Sequence, residues 1–319
     1  MTNITPYSPA YFKEVERGLL EFGFKLITNG KVRNVYSYDN QILMVTTDRI
    51  SAFDVISKQT IPYKGQVLNG VASYFLKKAH ENSICPVWLH HIPNQNTMVG
   101  VKCEPVKVEM VIRGNLVGHA WREYQKGKRT ICGVTMPDFM AENDFFPEPI
   151  ITPTTKASEG HDEDISKEEI LNSGLVKPVV YSLMEQYTRK LFEQGTKIAE
   201  QHNLFLADTK YEFGISPNST VTLIDEVNTP DSSRFFQMEG FYKRQRNGKP
   251  QIQLSKEFLR EWLIKEGYTG QDGMEFPIMP SEIVSEVSLR YNELYYRLVG
   301  KDFVHEELTV DQFIESIIS

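Results

Sequence analysis

Apolar residues recur at helical spacing in several stretches, with strand-like alternation between them. Phe12, Val15, Leu19 and Phe22 form one stripe behind Ser8-Pro9, a helix-opening pair. Leu68, Val71, Phe75, Leu76 and Ala79 form a second, and Val180, Leu183, Tyr187, Leu191 and Ile198 a third. Helices are also predicted over 119–126, 257–266, 281–299 (Ser281 and Gly300 as the cap pair) and 311–317. Ser166 and Glu169 read as a capping box ahead of the third stripe. Strands are predicted over 24–28, 32–38, 41–46 and 105–113. Residues 141–164, rich in Pro, Thr, Glu and Asp, read as a long exposed loop in which Asp162, Glu163 and Asp164 are solvated acids or, alternatively, acids that become ordered when ligands and metal bind. A strand-rich front and a helix-rich back give an α+β chain with two lobes, 1–110 and 111–319.

The most informative stretch is Asp208-Thr209-Lys210-Tyr211-Glu212-Phe213-Gly214, followed by Leu223-Ile224-Asp225-Glu226. On a strand, Asp208, Lys210 and Glu212 project from one face, while Ala207, Thr209, Tyr211 and Phe213 point to the other. A turn at Ser216-Pro217-Asn218 would fold 221–225 back as a second strand. Several carboxylates gathered so closely repel unless a cation sits among them. Oxygen-only ligation suits magnesium held together with nucleotide phosphates, so the hairpin reads as half of an ATP site. The other half is a candidate phosphate cradle, Asn29-Gly30-Lys31-Val32-Arg33-Asn34, where Gly30 allows a tight turn and Lys31 and Arg33 add positive charge. An ordinary Asn-Gly hairpin turn explains the same residues equally well.

Composition narrows the function classes. A net charge of −7 argues against long nucleic acid or an anionic membrane as partner. Cys85, Cys103 and Cys132 are odd in number and widely spaced, which fits a reducing cytoplasm. No apolar run approaches the roughly 18 residues of a membrane span. Three further segments carry candidate chemistry: Thr47-Asp48-Arg49-Ile50-Ser51-Ala52-Phe53-Asp54, Val111-Ile112-Arg113-Gly114 with Gly118-His119, and Thr152-Pro153-Thr154-Thr155-Lys156-Ala157. An arginine at a strand end grips phosphate or carboxylate with a planar fork; a plain salt bridge is the competing explanation.

Taken in order with Asp225-Glu226-Val227 and the run from Thr229 to Arg234, these motifs closely resemble the SAICAR synthetase family in its longer, yeast-like form. The resemblance implies a kinase-like antiparallel N-terminal lobe, an ATP-grasp-like C-terminal lobe and nucleotide in the cleft between them. It implies an ATP-dependent ligase that condenses carboxyaminoimidazole ribonucleotide with L-aspartate, releasing ADP and phosphate, in purine synthesis. Gly30, Lys31, Val32 and Arg33 would lie over the ATP phosphates, Cys103 to Val106 along the adenine edge, and Glu109 just beyond. Glu212 and Asp225 would hold magnesium. Lys210 would contact the transferring phosphate, and Asp208 is a candidate proton acceptor. Arg113, His119 and Arg234 would hold the ribonucleotide phosphate. Ser51, Asp54, Asp231 and Ser233 would contact that nucleotide, and Thr155 and Lys156 would receive aspartate.

The chain departs from the family pattern at Asn29, Asn34, Lys107 and His119, the last standing where a serine is usual. A kinase-like phosphotransferase and a non-catalytic nucleotide-binding module are the rival readings. The first lacks its His-Arg-Asp and Asp-Phe-Gly signatures here, and the second is disfavoured by Lys31, Lys210, Glu212 and Asp225. A monomer is favoured over a dimer.

Overall fold

Helix α1 (Pro9–Phe22) starts where the sequence predicts: the Ser8 hydroxyl accepts the Tyr11 N–H at 3.2 Å, and Pro9 fills a position whose N–H would lack a helical partner. Phe12, Val15 and Leu19 are buried, but Phe22 stays largely exposed because Gly23, at φ 109°, already turns the chain away. This computed structural model describes residues 5–156, 163–271 and 273–319. Ala157 and Asp162 of the sequence reading lie outside the described residues.

Strands β1 (Lys25–Asn29), β2 (Arg33–Tyr38) and β3 (Gln41–Thr46) form a meander, followed by a separate hairpin of β4 (Arg49–Ala52) and β5 (Val55–Thr60). Helix α2 (Lys64–Glu81) comes next, then β6 (Leu89–Asn94) and β7 (Thr97–Val101), which complete a sheet of order β1-β2-β3-β7-β6.

The next segment holds β8 (Glu104–Asn115), α3 (Gly118–Gln125), the short pair β9 (Thr130–Ile131) and β10 (Val134–Thr135), then β11 (Phe145–Ile151), β12 (Thr154–Thr155), α4 (Lys167–Asn172) and α5 (Pro178–Gln201). It continues with β13 (Leu204–Ile215), β14 (Val221–Ile224), β15 (Ser233–Gln237) and α6 (Phe241–Arg246). Its sheet has the order β11-β8-β13-β14, with β12 on β8 and β15 on β13. Helices α7 (Glu257–Lys265), α8 (Ser281–Val299) and α9 (Val310–Ile318) end the chain. The architecture is the expected α+β, with antiparallel ladders throughout the named strands.

Two compact units divide the chain. One unit comprises Met1–Tyr74, Leu89–Lys102 and Leu254–Ser319, and the other Phe75–Trp88 and Cys103–Gln253. The terminal helices join the first unit through their apolar faces: Phe313 of α9 meets Tyr11 and Phe12 edge-on, with ring centroids 5.9 and 6.4 Å apart. Three expectations are corrected. First, the expected loop at 141–164 supplies β11 and β12, whose backbone groups pair along β8. Second, the buried stripe of α5 is Tyr181, Met184, Thr188, Leu191, Phe192, Gly195 and Ala199, one position on from most of the predicted set. Gly195 sets this rotation, since a Cβ there would lie 2.7 Å from the Asn228 amide and 2.9 Å from Leu206. Third, Ser281 is the first helical residue of α8 rather than its cap, while Gly300 ends the helix at φ 77° as expected. The capping box at Ser166 and Glu169 is present on α4.

Candidate active site

Strand β13 is covered on one face by α5 and carries a chemical row on the other. Ala207, Tyr211 and Phe213 are fully buried. The Tyr211 hydroxyl donates to Asn228 at 2.9 Å, and Tyr187 of α5 packs on the Phe213 ring. The opposite face carries Asp208, Lys210 and Glu212. Antiparallel pairing sets Arg113, Val111 and Glu109 of β8 directly across from these three. Residues directly opposite share a face, so the two strands present one polar surface.

At one end of this surface lies an alternating chain of charge. The Lys210 ammonium donates to Glu109 at 2.6 Å and to Glu212 at 3.1 Å, and Lys156 donates to the other Glu212 oxygen. Glu109 and Glu212 stand directly opposite and are both buried. Two carboxylates so placed would repel; Lys210 between them cancels that repulsion. Burial works against the charged forms, yet the opposite charges win. Lys210 is held well above the usual lysine range by Glu212 and Glu109, and Glu212 well below the usual carboxylate range by Lys210 and Lys156. Lys156 shifts upward for the same reason: burial opposes its charge, and Glu212 and then Asp225 outweigh it.

Asp225 joins the cluster through a break in strand geometry. Ile224, the last residue of β14, lies opposite Glu212, so strict alternation would turn Asp225 to the other face. Asp225 instead takes φ 61°, and Trp88 Nε1 holds its carbonyl at 3.1 Å. Its carboxylate acts electrostatically on both Lys156 and Lys210.

The other end of the row is an arginine pair. Arg113 of β8 and Arg234 of β15 flank Asp208, and both donate to its Oδ2, at 3.0 and 2.7 Å. Thr152 accepts from Arg113 Nε at 2.9 Å. Two guanidinium groups thus converge on one side of the sheet, the makings of an anion site. Burial shifts Arg113 below the usual arginine range despite Asp208. Gly118, at the start of α3, lets Arg234 in: its φ is 56°, and a Cβ would lie 2.5–2.8 Å from the guanidinium atoms. His119 follows, with Nε2 2.8 Å from Asp164 Oδ2. Asp164, read from sequence as a solvated acid, thus has a partner. Its backbone also bridges to Thr154, and Thr155 N–H donates to the Glu163 carbonyl at 2.9 Å.

The remaining candidates are placed as follows. Asp208 stands with the arginines rather than with the Glu109–Lys210–Glu212 group. Ser233 lies on the far face of the sheet, its hydroxyl 2.7 Å from Thr209 Oγ1, away from Arg234. Asp231 is half-buried in the link between β14 and β15. Cys103 precedes β8; burial raises its thiol, and it crowds Gly214, which lies opposite Pro105 and has no room for a Cβ, with Cys103 Cβ at 2.8 Å. Val106 is half-buried on β8.

The first unit holds the glycine turn. Gly30 N–H donates to the Arg33 carbonyl at 2.8 Å, and a Cβ on Gly30 would lie equally close to that oxygen, so the turn requires glycine. Arg49 fastens its back, donating to the carbonyls of Gly30 at 2.8 Å and Lys31 at 3.2 Å and to Asn34 Oδ1 at 2.7 Å. Val32 is buried and its carbonyl accepts from Thr47 N–H and Oγ1. Lys31, expected over phosphates, pairs with Asp54, expected on a different ligand. Ser51 is buried in β4. Asp48 caps the start of α2, accepting from Tyr63 and Gly65 N–H at 2.9 Å each; burial pushes its carboxyl up to about 6. The sequence reading named no part for Arg49 or Thr152 and did not pair Asp164 with His119. The first two stand inside quoted motifs, whereas Asp164 carried no local signal.

The SAICAR synthetase family profile matches residues 26–275. The phosphoribosylaminoimidazole-succinocarboxamide synthase of Flavobacterium psychrophilum is 54% identical over 89% of this chain and 90% of its own length. The synthase of the same name from Cytophaga hutchinsonii is 52% identical over 87% and 89%. Among solved structures, the SAICAR synthase of Saccharomyces cerevisiae complexed with SAICAR superposes with a TM-score of 0.75 at 31% identity, covering 88% of this chain and 97% of that one. A SAICAR synthetase in complex with ADP shares the fold, with a TM-score of 0.67 at 21% identity.

Proposed function

The chain belongs to the SAICAR synthetase family, and from that premise we propose how its residues divide the work of the reaction. The enzyme is an ATP-dependent carbon–nitrogen ligase. It joins carboxyaminoimidazole ribonucleotide to L-aspartate and releases SAICAR, ADP and phosphate. The observation that carries the assignment of roles is the shared face of β8, β13 and β15, with the arginine pair at one end and the lysine–carboxylate chain at the other.

In this reading Arg113 and Arg234 hold the ribonucleotide phosphate, with Asp208 as the carboxylate that orients both forks. His119 adds a donor beside them. Lys210, kept protonated by Glu109 and Glu212, contacts an oxygen of the transferring phosphoryl group. Lys156 and Thr155 receive the aspartate carboxylates, and Asp231 contacts the imidazole nucleotide. Cys103 to Val106 run along the adenine edge. Ser233, turned to the far face, supports Thr209 rather than touching substrate. In the first unit, Gly30, Lys31 and Arg33 bind ATP phosphates, and Ser51 and Asp54 serve the imidazole nucleotide.

Magnesium fits the second unit's donor set. Glu212 and Asp225 offer hard oxygen ligands, and both act on the same two lysines. Among the described residues no group of three or more His, Cys, Asp or Glu is placed to hold a metal alone. One or two carboxylates plus nucleotide phosphates is a usual magnesium set, so Glu212 and Asp225 would hold an ion that arrives with ATP. Bound there, it would neutralise charge on the phosphoryl oxygens. The test is ADP release assayed with each substrate omitted in turn. Release that requires both the carboxylated imidazole nucleotide and aspartate is expected; release independent of aspartate would reject the ligase assignment. The cysteine content fits a reducing cytoplasm. The structure adds that no helix among the described residues is long and apolar enough to cross a membrane.

A further inference from the structure

We propose that binding of the phosphorylated substrate is coupled to uptake of a proton by His119, with Asp164 as its positioning residue. The inference deepens the reading above and rests on it: Arg113 and Arg234 must be the phosphate site.

The geometry places a histidine–carboxylate pair against that site. Gly118 lies against the Arg234 guanidinium, and His119 is the next residue. Asp164 holds His119 Nε2 at 2.8 Å and acts electrostatically on Arg113 as well. The pair is fixed from behind. Asp164 bridges to Thr154, Ile165 N–H donates to the Pro153 carbonyl at 3.1 Å, and Thr155 pairs with Glu163. The imidazole is 40% exposed and Asp164 38%, so a ligand and solvent protons both reach them.

Charge favours the proton. Among the described residues, Asp208 and Asp164 both offset the positive charge that Arg113 and Arg234 offer a phosphate dianion when the imidazole is neutral. The dianion also meets Asp164 as a like charge. A proton on His119 adds one positive charge and screens Asp164 from the phosphate. Among the described residues, the other groups facing the pair do not supply that proton in the neutral range. The Cys132 thiol, between β9 and β10, is pushed up to about 12, chiefly by burial. Glu123 of α3 is pulled down to about 2, chiefly by hydrogen bonds from Lys126 and Lys128, with Lys128 raised in turn. Asp164 is shifted below the usual carboxylate range, first by its bond to His119. A histidine side chain is the group that gains or loses a proton near neutrality. The sign follows: phosphate stabilises the protonated ring, so affinity is highest below the histidine range and falls as pH rises through it.

Calorimetric titration of SAICAR into the protein without ATP, in two buffers of different ionisation enthalpy at pH 7.5, reads the coupling directly. Wild type is expected to take up about half a proton more than His119→Gln, and its affinity to fall with pH more steeply, by up to about tenfold per unit. Asp164→Asn should lower the uptake while leaving binding at pH 6 nearly unchanged. Equal uptake in wild type and His119→Gln overturns the proposal. Should that variant fail to fold, the imidazole NMR signals of wild type decide. One histidine must move to its protonated position when SAICAR is added at pH 7.5, and no movement overturns the coupling. Arg234→Ala separates the two levels. If it leaves SAICAR affinity unchanged, the phosphate-site reading fails; if it weakens binding while proton uptake matches His119→Gln in wild type, only the His119 coupling fails.

Discussion

Asp225 lies one residue past the end of β14 and reaches the lysine–carboxylate group only because its backbone adopts φ 61°. Asp225→Asn keeps the shape and removes the charge. Turnover is expected to fall about 100-fold or more with an unchanged thermal unfolding midpoint, and steady-state kinetics at saturating magnesium checks it. Near-normal turnover would remove Asp225 from the metal site. Arg234→Ala removes one charged donor, typically worth about 1.5–3 kcal/mol. The KM for the ribonucleotide should therefore rise roughly ten- to a hundredfold, with the KM for ATP unmoved; the opposite split would exchange the two phosphate assignments. At this scale the sequence was informative wherever alternation alone decides direction. Asp208, Lys210 and Glu212 share a face as the period of two requires. It was uninformative where a turn breaks the period, as at Asp225, or where a partner comes from far along the chain, as Asp164 does for His119, 45 residues away.

At the scale of elements, two glycines set the geometry. Gly118 opens α3 against Arg234, so Gly118→Ala faces both a positive φ and a clash with the guanidinium. The expected result is a loss of stability of about 1 kcal/mol or more together with weaker ribonucleotide binding. Urea unfolding and a binding titration measure the two effects separately. Stability loss without loss of affinity would show that Gly118 does not position Arg234. Gly195 plays the packing role in α5, and its position explains the shifted stripe. A reading by hydrophobicity prefers Leu183, Tyr187 and Ile198, whereas the helix turns Thr188 and Gly195 inward because β13 and Asn228 approach most closely there. Strands β11 and β12 were missed for a related reason. In β11 the run Pro147-Glu148-Pro149 separates Phe145-Phe146 from Ile150-Ile151 and interrupts the pairing, and β12 is only two threonines, so neither edge segment shows an apolar alternation.

For the whole molecule, the sequence supported the fold class and the family. A linear reading has no means of seeing that α9 returns to pack Phe313 on Tyr11 and Phe12. The second unit's stability should carry the signature of Glu212. Its folded carboxyl is shifted downward, so the stabilisation it contributes is complete above the unfolded glutamate value of about 4.3 and is lost as pH falls through the lower folded value. Urea unfolding of wild type and Glu212→Gln should therefore differ most near pH 6 and converge towards pH 2; a gap independent of pH would mean that Glu212 is not ionised in the folded protein. The same residue carries the central claim, that Glu212 and Asp225 together take a divalent ion brought by ATP. Manganese added to the protein with a non-hydrolysable ATP analogue, followed by electron paramagnetic resonance, tests this most directly. Wild type should sequester manganese only when the nucleotide is present, and both Glu212→Gln and Asp225→Asn should leave it free; sequestration in the two variants equal to wild type would contradict the account.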